Sequence, residues 1–374
     1  MGLSLRFGTF TGGKPLRSGY EVDGESSRDG REVQKMELTG NRRAMVVGFA
    51  VALVVLAALA LVVGLDELLA SLAAADYGIV ALMVVVALAW LCCWALALRT
   101  VLGVLGIEMS VATAVQTFLA AMFANNVTPF GQAGGEPVAA FFISTSSDAE
   151  YETSLAAIAS VDALNFVPSI GFALLGLAFF SARHTVGQEF QMAAAAVLAL
   201  AVAVPVVAVL GWHYRQRVEA LVLGTVAPAV GTVGRRLPRI PTEEAVRNQI
   251  RSFFESIDRI ATDQRGLAVA LAFSALGWLG IMTSLWLALY ALGYTVAFAV
   301  VLIAVPVGAV AGVAPLPGGL GGVETVLVAL LVPIPELSAA AAAAAVVLHR
   351  GATYWLPLVL GGAAAGTLGA HRLT

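Results

Sequence analysis

Four ionisable residues stand inside or beside long apolar runs: Glu136, Asp162, Glu324 and Arg350. A charge at the centre of a membrane helix costs about 2.5–3.5 kcal/mol on insertion scales, so four of them require mutual pairing, water or a task. Arg350 has the chemistry that is easiest to name. Its guanidinium stays protonated and presents a planar fork that matches phosphate oxygens bidentately, which suits a phospholipid or polyprenyl phosphate headgroup. The structural alternative is an ion pair with Asp162 or Glu136 that holds two halves of the protein together. Both roles can coexist if substrate exchanges for the carboxylate. Glu136 and Glu324 each begin a short apolar stretch after a Gly-rich break. There a carboxylate complements a helix N-terminus by about 0.3–1 kcal/mol, and a proton-binding or amine-contacting role is compatible with that placement.

Around these charges, Asn126, Gln132 and Tyr354 complete a candidate substrate-binding set. Asn125, Thr128 and Asn165 add further uncharged polar groups. The simpler role of the amides is to satisfy backbone groups freed at the break. For Tyr354 and Trp355, as for Trp278 and Trp286, it is packing. His349 neighbours Arg350 and so faces elsewhere on a helix. No Ser-His-Asp grouping, zinc spacing or P-loop is visible, so no catalytic residue, metal or cofactor is expected and the chain reads as a non-enzyme. Gly318–Gly322 lacks the preceding strand that a dinucleotide loop needs. Asn126-Val127-Thr128 is a glycosylation sequon only by accident of a membrane-embedded stretch.

The elements that position these groups follow from composition. The chain has 374 residues, 59% apolar and 12% charged, with net charge −3. Soluble domains carry about 25% charged residues. With a mean hydropathy of +0.89, this excludes a soluble domain, a disordered chain and a nucleic-acid binder. Cys92 and Cys93 are vicinal within an apolar run and suggest neither a disulfide framework nor a metal site.

A bilayer core needs about 20 apolar residues per helix. Candidates are Ala44–Gly64, Tyr77–Leu98, Ser154–Phe180, Gln191–Gly211, Leu267–Leu292 and Ser338–Leu360. Two further apolar stretches, 111–143 and 296–332, are broken by TPFGQAGGEP and APLPGGLGGVE. Each is short for two spans and a turn, and reads as a re-entrant hairpin of broken helices. The breaks share one pattern, P-x-G-x-x-G-x-E: Pro129, Gly131, Gly134 and Glu136, then Pro317, Gly319, Gly322 and Glu324. At equal distances downstream stand Asp162 and Arg350, which would face each other across a pseudo-two-fold.

The fold expected is therefore an all-α polytopic membrane protein of two inverted-topology repeats, with about six full transmembrane helices and two re-entrant hairpins. Broken helices meeting near the midplane are a transporter architecture. Residues 1–43 form a disordered tail, 44–212 the first repeat, 213–266 a loop and 267–374 the second repeat. The loop carries nine Arg and an amphipathic stretch, Glu243–Thr262, suited to the membrane surface. With Arg42, Arg43 and Arg99, and with the acidic loop of Asp66, Glu67 and Asp76 after the first span free of basic residues, this loop places both termini in the cytoplasm of a plasma-membrane protein. Asp148, Glu150 and Glu152 sit discordantly on that side, although acidic residues weigh little in the rule. Met1 and Met36, the latter opening the short tail MELTGNRR just before the first span, are both candidate starts.

TPFGQAGGE, PLPGGLGGVE and HRGATYWLP resemble the membrane region of lysylphosphatidylglycerol synthases, the flippase-like part of the multiple-peptide-resistance factor. Stand-alone relatives of it occur in bacteria and archaea. The resemblance covers about residues 44–366 and implies lipid handling: a polar lipid or lipid-linked sugar moved between leaflets. No soluble acyltransferase-like domain follows before Thr374, so synthase activity is not carried over. The expected function is a lipid translocase, flippase or scramblase, with membrane lipid as its partner. Without an ATP site it would run downhill or on an ion gradient. The rivals are a secondary transporter of a small solute and a non-transporting partner of a separate glycosyl- or aminoacyltransferase; a homo-oligomer is compatible with each. The inverted repeat makes a topological prediction. In a background lacking Cys92 and Cys93, cysteines at Ser146 and Ser338 should label from the cytoplasm and the exterior respectively. Labelling of both from one side would end the inverted-repeat reading.

Overall fold

The computed structural model describes residues 49–128, 132–147, 149–181, 243–312, 316–334 and 337–370, with isolated positions between 195 and 225. Every regular element among them is helical. The protein is an all-α polytopic membrane protein. Helices α1 (Phe49–Val63) and α2 (Leu65–Ala73) meet at an angle of 87°. The sequence read Asp66, Glu67 and Asp76 as one acidic loop. Instead, Asp66 and Glu67 occupy the first turn of α2, where carboxylates are favoured.

Asp76 caps the next helix. Its Oδ1 accepts from the N–H groups of Gly78 at 2.8 Å and Ile79 at 3.2 Å, starting α3 (Tyr77–Val104). Then follow α4 (Val111–Val127), α5 (Gln132–Ser147), α6 (Tyr151–Ser181), α7 (Glu243–Thr262) and α8 (Gln264–Ala291). The second broken stretch comprises α9 (Phe298–Ala311), a 3₁₀ turn Pro317–Gly319 and α10 (Gly322–Leu331). The chain continues through α11 (Ala339–Arg350), a π-helical turn Gly351–Trp355 and α12 (Leu356–Ala370).

Among the described residues four helices are long and apolar enough to cross a membrane: Tyr77–Val104, Tyr151–Phe179, Gln264–Ala291 and Ala339–Leu368; the bent α1–α2 pair makes a fifth. The sixth span expected from sequence, 191–211, lies largely outside the described residues, as does the tail 1–43. The helices flanking the two breaks are all short, from the 17 residues of α4 to the 10 of α10. The amphipathic α7 packs on α6 and buries Ile260 and Ser256, so part of its apolar face meets protein.

Three helix pairs frame the interior. The largest joins α3 to α8 along their whole length. Asp76 donates its N–H to the Ala291 carbonyl at one end, and Gly266 lies against Val104 at the other. Between them, Gly277 and Gly280 lie against Trp94 and Trp90, leaving no room for a Cβ. Small residues let membrane helices approach this closely. The second pair, α4 with α12, is tied by Gln116 Nε2 donating to Thr367 Oγ1 at 2.7 Å and by Gly361 against Leu119 and Phe123. In the third pair, Gly176 of α6 fits against Ala299, Leu302 and Ile303 of α9.

Gly277→Val therefore drives a methyl-bearing side chain into the Trp94 indole. Overpacking of this kind costs about 1–3 kcal/mol, so a lower melting temperature in detergent is expected. Gly103→Ala, where nothing lies within 4 Å, should leave it unchanged.

Candidate functional site

The second break is built around left-handed backbone. Gly318, Gly319 and Gly321 have φ of 54°, 66° and 84°, a region closed to most L-residues by their Cβ. This geometry turns two backbone groups toward side chains. The Gly321 N–H donates to Glu324 Oε2 at 2.6 Å, and the Gly318 carbonyl accepts from Arg350 Nη2 at 3.0 Å. Arg350 Nε donates to Glu324 Oε1 at 2.6 Å, with the two side chains 11% and 6% exposed. The guanidinium lies 4.7 Å from the centre of the Tyr354 ring, a cation–π contact. The Tyr354 hydroxyl donates to the Asn126 carbonyl at 3.3 Å. A chain of contacts thus runs from the second break to the helix that ends at the first.

The first break is different. Pro129 and Gly131 lie outside the described residues, and of Gln132 and Gly134 only the helical backbone of α5 is described. The close crossing of α4 and α5 falls on Gly135, where a Cβ would meet the amide oxygen and backbone of Asn125. Glu136 is the fifth residue of α5, whereas Glu324 is the third of α10. Glu324 caps its helix through the Gly321 N–H, and the two glutamates share a motif position but not a position within the helix.

Between the breaks lies a cavity of about 420 Å³, bordered by Glu136, Asp162, Asn125, Asn126, His349 and Arg350. One wall is an edge-to-face aromatic cluster of Trp90, Trp94 and Trp278. Two of its indoles are anchored: Trp94 Nε1 donates to the Ser274 carbonyl at 3.2 Å, and Trp278 Nε1 to the Asn165 carbonyl at 2.8 Å. Asn165 Oδ1 accepts from Ser274 Oγ at 2.5 Å. The Trp90 Nε1 and Asn126 Nδ2 donors have no partner, nor do the Asn125 Oδ1 and Asp162 Oδ2 acceptors. His349 is buried and lies 3.3 Å from Ser284 Oγ through Nδ1.

Of the residues singled out from sequence, Glu136, Asp162, Asn126 and Arg350 are brought together at the cavity. Glu324 and Tyr354 stand behind Arg350 and hold it. Pro317 and Gly319 are buried in the turn, and Gly322 opens α10. The pairing of Arg350 with Asp162 or Glu136 is not formed: its carboxylate partner is Glu324. Sequence reasoning passed over Gly135 and Trp90. The signal for the second was present in Trp90 and Trp94, two indoles four residues apart in one apolar helix.

Charged groups bordering a cavity among long apolar helices mark a polytopic membrane protein. The chain matches the family described as lysylphosphatidylglycerol synthase TM region over residues 45–361, and it belongs to that family. It is similar to a UPF0104 membrane protein of Pyrococcus horikoshii, 25% identical over 272 residues, covering 72% of this chain and 81% of the relative. A UPF0104 membrane protein of Methanothermobacter thermautotrophicus is 24% identical over 318 residues, 84% of this chain and 92% of the relative.

The ion pair makes a quantitative prediction. Arg350→Ala strands a buried Glu324 carboxylate and should destabilise by about 3–5 kcal/mol. Adding Glu324→Gln removes the stranded charge, keeps an acceptor for the Gly321 N–H, and should recover most of the loss. Adding Asp162→Ala should not. Melting temperatures of the three proteins in detergent check this.

Proposed function

We propose that the protein is a lipid translocase, a flippase or scramblase, for a lipid whose headgroup carries a phosphate or a phosphate-linked sugar. It works in the plasma membrane with both termini in the cytoplasm. The observation that carries this reading is a charged cavity bordered by an exposed apolar helix pair. Phe166 of α6 and Val310 of α9 both line it, and they are 42% and 41% exposed. A headgroup enters sideways between these two helices while its acyl chains stay along their outer apolar faces. A cavity of about 420 Å³ is the size of a small-molecule site and takes a headgroup without its chains.

Arg350 supplies the anion contact. A guanidinium has five N–H donors. Glu324 and the Gly318 carbonyl each take one, leaving the others for phosphate oxygens. Trp90 and Asn126 line the same cavity from α3 and α4. In this reading the two broken stretches are halves of an inverted repeat, and the headgroup passes between them as access alternates.

The test is lipid movement in liposomes holding purified protein and a fluorescent phospholipid, read as bleaching of the inner leaflet by a membrane-impermeant reductant. Faster inner-leaflet movement than in empty liposomes is expected. Gly319→Val should abolish it, because at φ 66° the added Cβ meets Gly312 Cα at 2.6 Å and Val323 Cγ2 at 2.9 Å. If neither anionic nor zwitterionic phospholipids nor a polyprenyl phosphate moves faster with protein present, the translocase reading fails.

A further inference from the structure

His349 and Arg350 are consecutive residues at the end of α11, about 100° apart around a helix axis, yet both border the cavity. The cavity wraps around that end of the helix, so the step between them does not turn His349 away from it. His349 is 3% exposed. Its Nδ1 lies 3.3 Å from Ser284 Oγ of α8, and its Nε2 makes no hydrogen bond among the described residues. Trp90 Nε1 and Asn126 Nδ2 are sealed in packing; Nε2 is not cut off in that way from the open space. Other donors along the wall are spent. Trp94 and Trp278 donate to the Ser274 and Asn165 carbonyls, and the Ser169 and Thr353 hydroxyls donate to carbonyls of the preceding turn.

Ser284 decides which form the imidazole takes. It is 0% exposed, and its Oγ has no second partner among the described residues. A buried hydroxyl keeps its proton on an acceptor, and the acceptor it meets here is Nδ1. An accepting Nδ1 leaves the ring proton on Nε2. The imidazolium would carry a proton there as well. In either form Nε2 is a donor, beside a guanidinium that keeps N–H groups beyond those held by Glu324 and Gly318. Charge balance then selects among anions. Arg350 is matched by Glu324, and Glu136 and Asp162 border the same space. A phosphomonoester carries about −1.5 to −2 at pH 7 and meets stronger repulsion from those carboxylates than the single charge of a diester. A neutral N–H suits the diester, which needs donors more than net positive charge.

We propose that His349 contacts the headgroup: its Nε2–H donates to an oxygen of a phosphodiester held at Arg350, and Ser284 is the positioning residue that fixes the imidazole in that form. The inference rests on the translocase reading above and names its substrate class, a lipid whose phosphate is a diester.

Nitrogen-15 spectra of the full-length protein in nanodiscs, labelled at histidine, read the ring directly. The signal lost in His349→Gln should show a protonated Nε2, and Ser284→Ala should populate the other tautomer. A bare Nε2 in wild-type protein overturns the assignment. Calorimetric binding of dihexanoyl phosphatidylmethanol, a minimal diester lipid, to the purified protein gives the functional arm. A hydrogen bond to an anion is worth about tenfold in affinity, so His349→Leu should weaken binding by that factor with melting temperature retained. His349→Gln, which keeps an N–H, should weaken it less. Dihexanoyl phosphatidate, a monoester, should bind wild-type protein more weakly than the diester; tighter binding overturns the substrate class. Equal diester binding by wild type and His349→Leu overturns the contact, and if His349→Leu does not fold, equal binding by wild type and Ser284→Ala does so. Lipid movement that persists in that case leaves the translocase reading intact. Inorganic phosphate that binds in a His349-dependent way, with no binding of either lipid, keeps the donor and overturns the lipid reading.

Discussion

A guanidinium and a carboxylate 2.6 Å apart, nearly out of reach of solvent, hold the centre of this protein together. Neither ion could be tolerated there alone. Desolvating an ion pair is offset only when geometry is good and the remaining donors and acceptors are also satisfied. That condition shapes the neighbourhood. The second Glu324 oxygen takes the Gly321 N–H, and Arg350 Nη2 takes the Gly318 carbonyl. Both backbone groups point correctly only because three glycines adopt left-handed conformations. The Tyr354 ring covers the guanidinium, and its hydroxyl reaches the end of α4. The loop, the start of α10 and the contact between the two broken stretches therefore all follow from one pair of charges.

The same motif serves a different purpose in the other half. Glu324 is capped, paired and 4% exposed; Glu136 lies deeper in its helix and borders open space. The repeated pattern thus holds one carboxylate tied into an ion pair and one at the edge of the cavity. Charge has diverged in the same direction at the equivalent downstream positions, with Arg350 bound into the scaffold and Asp162 left unpartnered. Both halves contribute to the cavity lining, Glu136 and Asp162 from one and His349 and Arg350 from the other.

The helical membrane class was legible in the sequence because it rests on composition and run length, which do not depend on partners. The candidate charges were legible for a related reason: a charge in an apolar run is conspicuous wherever it ends up. Their pairing was not. Three carboxylates and one guanidinium admit several matches, and the choice of Glu324 over Asp162 and Glu136 depends on a loop whose backbone twists no spacing rule encodes. Helix ends gave a similar lesson. Asp76 looked like part of an acidic loop and proves to be a cap, because an N-cap is recognised by where its helix begins. Gly134 and Gly135 are adjacent in the chain, and only the packing of α4 on α5 shows that a Cβ on the second would meet Asn125.

The π-helical turn at Gly351–Trp355 has a consequence beyond placing Arg350 beside Tyr354. Successive residues of an α-helix are separated by about 100° around the axis. A turn that takes in one additional residue rotates everything after it by that angle without interrupting the rod. The span Ala339–Leu368 is therefore one continuous helix with two differently oriented faces: α11 packs on α2, α8 and α10, and α12 on α4. A single-residue insertion acts as a swivel frozen into the backbone, letting one membrane-crossing segment serve as a common wall for both halves of the protein.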